Sequence, residues 1–243
     1  MRFTNTSNPV LTNKAFSLTS DGEIMTIKGT VNKSIILFFV LLIFASLSWK
    51  LAASGSSLLN SLLWPSVIVG FVLAIVTIFA KKYAMYTAPL YAAAEGFFLG
   101  AISMVYNFIY PGIIVQAVLL TAGILGVMLF AYKTGMIKAT QKFRSGVIIA
   151  TGGIALVYLI SFILNMFGIS MPYIHDGGPI GIGISLFIVV IAALNLILDF
   201  SFIEEASHSN APKYMEWYAA FGLMVTLIWL YLEILRLLGK IRR

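Results

Sequence analysis

Four ionisable side chains interrupt apolar runs long enough to cross a bilayer: Glu95, Asp199, Glu233 and Arg236. A charge at mid-bilayer costs about 3 kcal/mol, so each needs a partner, a water-filled cavity or a change of protonation. Glu95 stands in YAAAEGFFLG, near the middle of its run, where burial disfavours the ionised carboxylate. It reads equally as a protonated acid that hydrogen-bonds two helices and as a step for a proton or cation. Asp199 stands in NLILDFSFIEE, and Glu204 and Glu205 follow it. Together they would form an acidic mouth where cations concentrate, although an aspartate this near a helix end can simply be solvated. Glu233 stands in WLYLEILRLLGKIRR with Arg236 three positions later. That spacing puts both on one helical face, as an ion pair of little net stability.

Set against Asp199, Glu233 takes on a sharper role. Two neighbouring carboxylates cannot both ionise cheaply, so they share a proton or admit a cation. Asp199 and Glu233 would then act as a gate and pH sensor. Their oxygens suit calcium, with backbone carbonyls and water completing a weak cage. Ordinary antiparallel crossings, however, leave the two at different depths, and only a broken or displaced last helix would bring them level.

The elements that position these residues follow from runs of about 20 apolar residues. Seven such runs are predicted: Ser34–Leu51, Leu59–Ala80, Ala84–Tyr106, Ile113–Ala131, Gly146–Phe167, Ile180–Phe200 and Trp217–Leu238. Backbone in lipid must satisfy itself, so the runs are expected to be helices, and continuous apolar stretches contradict a barrel. The expected fold is an all-α seven-helix membrane bundle. It comprises a polar segment over residues 1–33, a membrane domain over 34–238 and a basic tail over 239–243. Gly96, Gly100 and Ala101 in the third run, and Gly123 and Gly126 in the fourth, would allow close helix contacts.

Composition supports lipid as the solvent. Of 243 residues, 60% are apolar and only 10% charged, against about 25% charged in a soluble domain. With no cysteine, disulfides, thiolate metal sites and cysteine nucleophiles are excluded. The net charge of +7 gathers at the ends of the runs, so anionic lipid and topology account for it better than nucleic acid does. His175 and His208 fall in separate loops, which argues against a two-histidine metal site. No HExxH, phosphate loop or hydrolase elbow is present. Lys213 precedes the last run and Lys240 follows it, so no mid-membrane lysine offers a Schiff base. No enzyme activity and no cofactor are expected.

Lys14, Lys28, Lys33, Lys81, Lys82 and the basic loop Lys133–Arg144 fall on one side if the runs alternate. The positive-inside rule puts that side, and the N-terminus, in the cytoplasm. Lys240, Arg242 and Arg243 then end up outside, against the same rule.

Three segments resemble the Bax inhibitor-1 family, or transmembrane Bax inhibitor motif family, in its bacterial YccA-like branch. They are AAAEGFFLG (Ala92–Gly100), LILDF (Leu196–Phe200) and PKYMEWYAAFGLMVTLIWLYLEILRLL (Pro212–Leu238). SNPVLTNKAF near the start is similar to the leader of one bacterial branch. The resemblance implies six helices around a more central seventh, in a bacterial inner membrane. It also implies a pH-sensitive calcium leak controlled by an acidic pair on the last two helices, which local matching assigns to Asp199 and Glu233. Glu233 replaces the aspartate common in the family, and the segment between the two acids is longer than in compact bacterial members. Two other functions are compatible with the residues. One is a scaffold that modulates a membrane protease or stress-response complex; the other is a proton-coupled transporter using Glu95 and Asp199.

Overall fold

A computed structural model describes residues 23–168 and 177–242. Its helices are α1 (Ile27–Ala53), α2 (Ser57–Phe79), α3 (Ala84–Ile109), α4 (Ile113–Lys133), α5 (Gln141–Met166), α6 (Pro179–His208) and α7 (Met215–Ile241). Among the described residues, all seven are long and apolar enough to cross a membrane. The protein is therefore an all-α, multi-pass membrane protein. His175 and most of the polar N-terminal segment lie outside the described residues, as does Arg243.

Several helices run further than apolar content alone predicts, because polar residues cap or extend them. The helix α1 starts at Ile27 rather than Ser34, since Thr26 Oγ1 accepts from Gly29 N at 2.9 Å, satisfying an orphan amide of the first turn. Thr140 does the same for α5, accepting from Phe143 N at 3.3 Å. The end of the expected basic loop, Arg144 included, thereby becomes the first turn of a helix. Glu204 and Glu205 likewise lie on α6 rather than in a loop. Lys240, expected in a basic tail, belongs to α7, which runs unbroken for 27 residues. Gly112, with φ of 80°, makes the tight turn between α3 and α4 in a conformation that glycine adopts without strain.

Burial separates the helices into two kinds. Between 11% and 17% of the span is buried in α1, α2, α4 and α5, against 50–56% in α3, α6 and α7. The last helix shares its inner character with α3 and α6.

The chain forms two compact units. One comprises Gly112–Ser201 and Thr226–Arg243, hence α4, α5 and the larger parts of α6 and α7. The other comprises Phe202–Val225 and the described chain up to Pro111, hence α1, α2 and α3 with the adjoining ends of α6 and α7.

In the α1–α3 unit, α3 packs against both α1 and α2. Gly96 and Gly100 make the α1 contact possible, because a Cβ at either would collide with the backbone of Leu41 or Ala45. This is close small-residue packing of the expected kind. The expectation fails for Gly123 and Gly126, where an added Cβ would meet nothing within 4 Å; that face of α4 is left open. The same unit is tied at one end by Glu216, on the first turn of α7 and fully buried. It accepts from Thr26 N and Thr26 Oγ1, both at 2.9 Å, and pairs with Lys33 at 2.5 Å and Lys213 at 3.6 Å. A Cβ at residue 29 would strike the Glu216 carboxylate, so a larger residue there displaces that side chain. Alongside, Met25 N donates to Ala211 O at 2.7 Å and Lys213 N to Glu23 O at 2.9 Å.

Candidate functional site

Buried polar side chains thread the α4–α5 unit from one end to the other. At one end, Arg144 is 7% exposed; its Nε donates to Ala139 O at 2.7 Å and its Nη2 to Ser201 Oγ at 2.8 Å. Two residues before Ser201 is Asp199, fully buried. One turn further along the same face of α6, Asn195 Nδ2 donates to Thr151 Oγ1 of α5 at 2.9 Å and to Ile191 O at 2.8 Å. Thr226 on α7 is also buried.

The next station is Glu233, whose side chain is 2% exposed. Tyr158 Oη lies 2.9 and 3.0 Å from its two oxygens, and Trp229 Nε1 donates to one of them at 3.3 Å. Arg236 Nη1 donates to both oxygens, at 3.1 and 3.2 Å, and to Tyr158 Oη at 2.5 Å. The guanidinium also lies over the Tyr158 ring, 5.1 Å from its centroid. At the far end Lys240, 5% exposed, donates to Gly181 O at 3.0 Å and Ser185 Oγ at 2.8 Å. Ammonium and carbonyl there satisfy each other, as buried charge requires.

These contacts set the registers. Lys240 opposite Gly181 and Ser185, with Trp229 packed against the cluster of Ile188 and Ile191, places Glu233 level with about residue 190 of α6. The α5 contacts agree: Thr151 with Asn195 and Arg144 with Ser201 put Tyr158, and so Glu233, near the same level. At 1.5 Å per residue, Asp199 lies about 13 Å further along the axis. Every hydrogen bond of Glu233 goes to Tyr158, Trp229 or Arg236, and none to Asp199. The expected shared-proton pair thus becomes two carboxylates at different levels, with Asn195, Thr151 and Thr226 but also the apolar Ile154 and Ile191 in the interval. One calcium ion, bound at about 2.5 Å by each ligand, could not bridge them at that spacing. An unbroken α7 in ordinary antiparallel register is the physical reason. From Ser201 to Gly181 the thread extends about 30 Å, the thickness of the hydrocarbon layer.

The remaining candidates are placed elsewhere. Glu95 belongs to the α1–α3 unit, where Tyr91 hydrogen-bonds it and Gly70 leaves it room; a Cβ there would sit 3.2 Å from Glu95 Oε1. Tyr91 is fixed in turn by an edge-to-face contact with Phe221 at 4.9 Å. Glu204 and Glu205 are half-buried and belong to the same unit as Glu95, with Glu204 4.0 Å from exposed His208. The acidic mouth expected of Asp199, Glu204 and Glu205 therefore draws its members from two units. Among the described residues, no three His, Cys, Asp or Glu converge as a metal cage.

Sequence reasoning missed Arg144, Thr151, Tyr158, Asn195, Trp229, Lys240 and Glu216. Asn195 carried a usable signal, standing four residues before Asp199 and so on its face. Tyr158 carried none, because a tyrosine in an apolar run is ordinary. A family model described as Bax inhibitor 1 like matches residues 8–243. No curated protein and no solved structure matches the chain.

Proposed function

Because the chain belongs to the Bax inhibitor 1 like family, we propose that it is a pH-sensitive passive leak for cations, calcium among them. The ions would cross along the buried polar thread of the α4–α5 unit. The observation that carries this reading is a series of buried polar side chains spread over a bilayer's thickness within one unit, with two carboxylates among them. A lone buried acid is explained by a hydrogen bond. Two buried acids at different levels of one membrane bundle are better explained by traffic. Passive flux needs no nucleotide.

The direction of the pH response follows from charge. With Glu233 ionised, its carboxylate and the Arg236 guanidinium cancel, while the neutral Tyr158 and Trp229 only donate hydrogen bonds. A cation can then replace part of the Arg236 interaction. Protonating Glu233 leaves Arg236 uncompensated, and the station repels cations. Flux falls as pH drops and recovers as it rises.

On this reading the protein lies in the inner membrane of a bacterium with its N-terminus in the cytoplasm, the side on which the positive-inside rule puts Lys28, Lys33, Lys81 and Lys82. The partial burial of the C-terminal charge removes some of the conflict with that rule, since Lys240 is held by Gly181 and Ser185 and does not compete for the membrane surface.

The test is calcium-dye flux in proteoliposomes of the purified protein between about pH 6 and pH 8. Flux that rises with pH, and that loses its pH response in Asp199→Asn with Glu233→Gln, is the expected result. A protein that moves no ion, yet co-purifies in fixed ratio with one membrane partner, would instead be a scaffold. Calcium entry matched by proton exit would make it a transporter.

A further inference from the structure

We propose that Lys81 and Tyr218 form a binding site for the phosphate of an anionic lipid headgroup. The inference is independent of the leak reading. It starts from two hydrogen-bond donors that lack acceptors. Tyr218, in the first turn of α7, is fully buried, and its hydroxyl has no hydrogen-bond partner among the described residues. Such unpaired buried groups are rare, because each is destabilising until something satisfies it. Lys81, in the short connection between α2 and α3, is half-buried. Its ammonium lies over the Tyr218 ring, 5.5 Å from the centroid, and among the described residues no carboxylate stands within ion-pair distance of it. Lys33 provides the contrast. It lies over Trp217 at 5.6 Å and has Glu216 as its counter-ion. Lys81 has the ring without the acid.

Both residues belong to the α1–α3 unit, and what they lack in common is an acceptor. A phosphate diester supplies it: it is anionic, and its free oxygens can take the ammonium and the hydroxyl together. Position selects the lipid as the source. Phe79, the last residue of α2, is 83% exposed, and Tyr83 and Tyr86 at the head of α3 are 62% and 63% exposed. Exposed aromatic rings where two spans end mark the membrane–water interface, the level of the headgroups. A lipid carries its phosphate to that depth with its acyl chains in the hydrocarbon, whereas a free ion has to leave water. Lys82, exposed beside Lys81, adds the general attraction of a cation for an anionic surface but has no buried hydroxyl beneath it.

The experiment titrates the full chain, delipidated in dodecyl maltoside, with phosphatidylglycerol or phosphatidylcholine, and reads bound lipid by native mass spectrometry and stability by thermal unfolding. Wild type is expected to bind phosphatidylglycerol about fivefold tighter than phosphatidylcholine. Lys81→Gln should weaken phosphatidylglycerol about tenfold, through loss of a charge-assisted bond, and Tyr218→Phe about fivefold. Lys82→Gln removes the same charge from an exposed position and should weaken it about threefold or less. Without lipid, Tyr218→Phe should melt no lower than wild type, because the hydroxyl it removes is unpaired. That variant keeps the test decisive if Lys81→Gln does not fold. Equal losses from Lys81→Gln and Lys82→Gln would reduce the site to diffuse surface attraction and overturn the proposal. So would an unchanged phosphatidylglycerol affinity in Tyr218→Phe, or a lower melting point of that variant without lipid, which would mean that the hydroxyl is already partnered. Inorganic phosphate that stabilises wild type as much as phosphatidylglycerol does would make a free anion the occupant and overturn the lipid assignment.

Discussion

The spacing of the two carboxylates makes a quantitative demand on a double-mutant cycle. Asp199 and Glu233 lie about 13 Å apart along the thread by helical rise. At that distance and an effective dielectric of about 20, two unit charges interact by about 1.3 kcal/mol, and at the dielectric of water by about 0.3 kcal/mol. If both stations attract the permeating ion, Asp199→Asn and Glu233→Gln each lower calcium flux at alkaline pH. The double variant should lower it by the product of the single effects, within about tenfold. A proton-sharing pair at hydrogen-bond distance behaves differently. Removing either acid frees the other to ionise alone, so the double variant resembles a single one. The assay is initial calcium-dye rate at fixed protein-to-lipid ratio for wild type, both single variants and the double variant. A double variant no slower than the slower single variant would refute the series arrangement. It would also require the two acids to meet in the conducting state despite the register of α6 and α7.

Other consequences are read in detergent by thermal unfolding. Glu216→Gln removes the charge that holds Lys33 and Lys213 and should cost about 1–3 kcal/mol, because charge-assisted hydrogen bonds to a buried carboxylate are lost while both lysines still reach solvent. An unchanged melting temperature would show that the clasp around Thr26 contributes nothing. Gly96→Val forces a side chain onto the α1 backbone and is expected to cost about 1–3 kcal/mol or more. Gly123→Ala, with open space around it, should be neutral or stabilising by up to about 1 kcal/mol through helix propensity; equal losses at the two sites would contradict the packing described. Tyr158→Phe deletes the hydroxyl shared by Glu233 and Arg236, with an expected loss of about 1–3 kcal/mol. The same variant should shift the pH at which flux is half-maximal, and a flux–pH curve superimposable on wild type would remove Tyr158 from the site.

The membrane class, the seven helices and the ionisable residues inside them were legible in the chain itself, because each depends only on local composition. A run of 20 apolar residues has to be helical in lipid whatever surrounds it. Glu233 and Arg236 likewise had to share a face, since three positions on a helix fix their bearing. Helix ends were less legible, because caps such as Thr26 and Thr140 extend a helix past its apolar content.

Pairing between helices was decided by tertiary structure alone. Sequence distance carries no information about which residues of α5, α6 and α7 stand level, because the loops between helices allow many registers. Contacts such as Lys240 with Ser185 and Asn195 with Thr151 choose one of them, and that choice separates Asp199 from Glu233. It also turned Arg144 from a loop charge into an interior one and gave Glu216 a place at the head of α1. Local patterns settle what a segment must be, since solvent acts on each segment directly. Where one segment meets another depends on side chains far apart in the chain, and packing in three dimensions settles it.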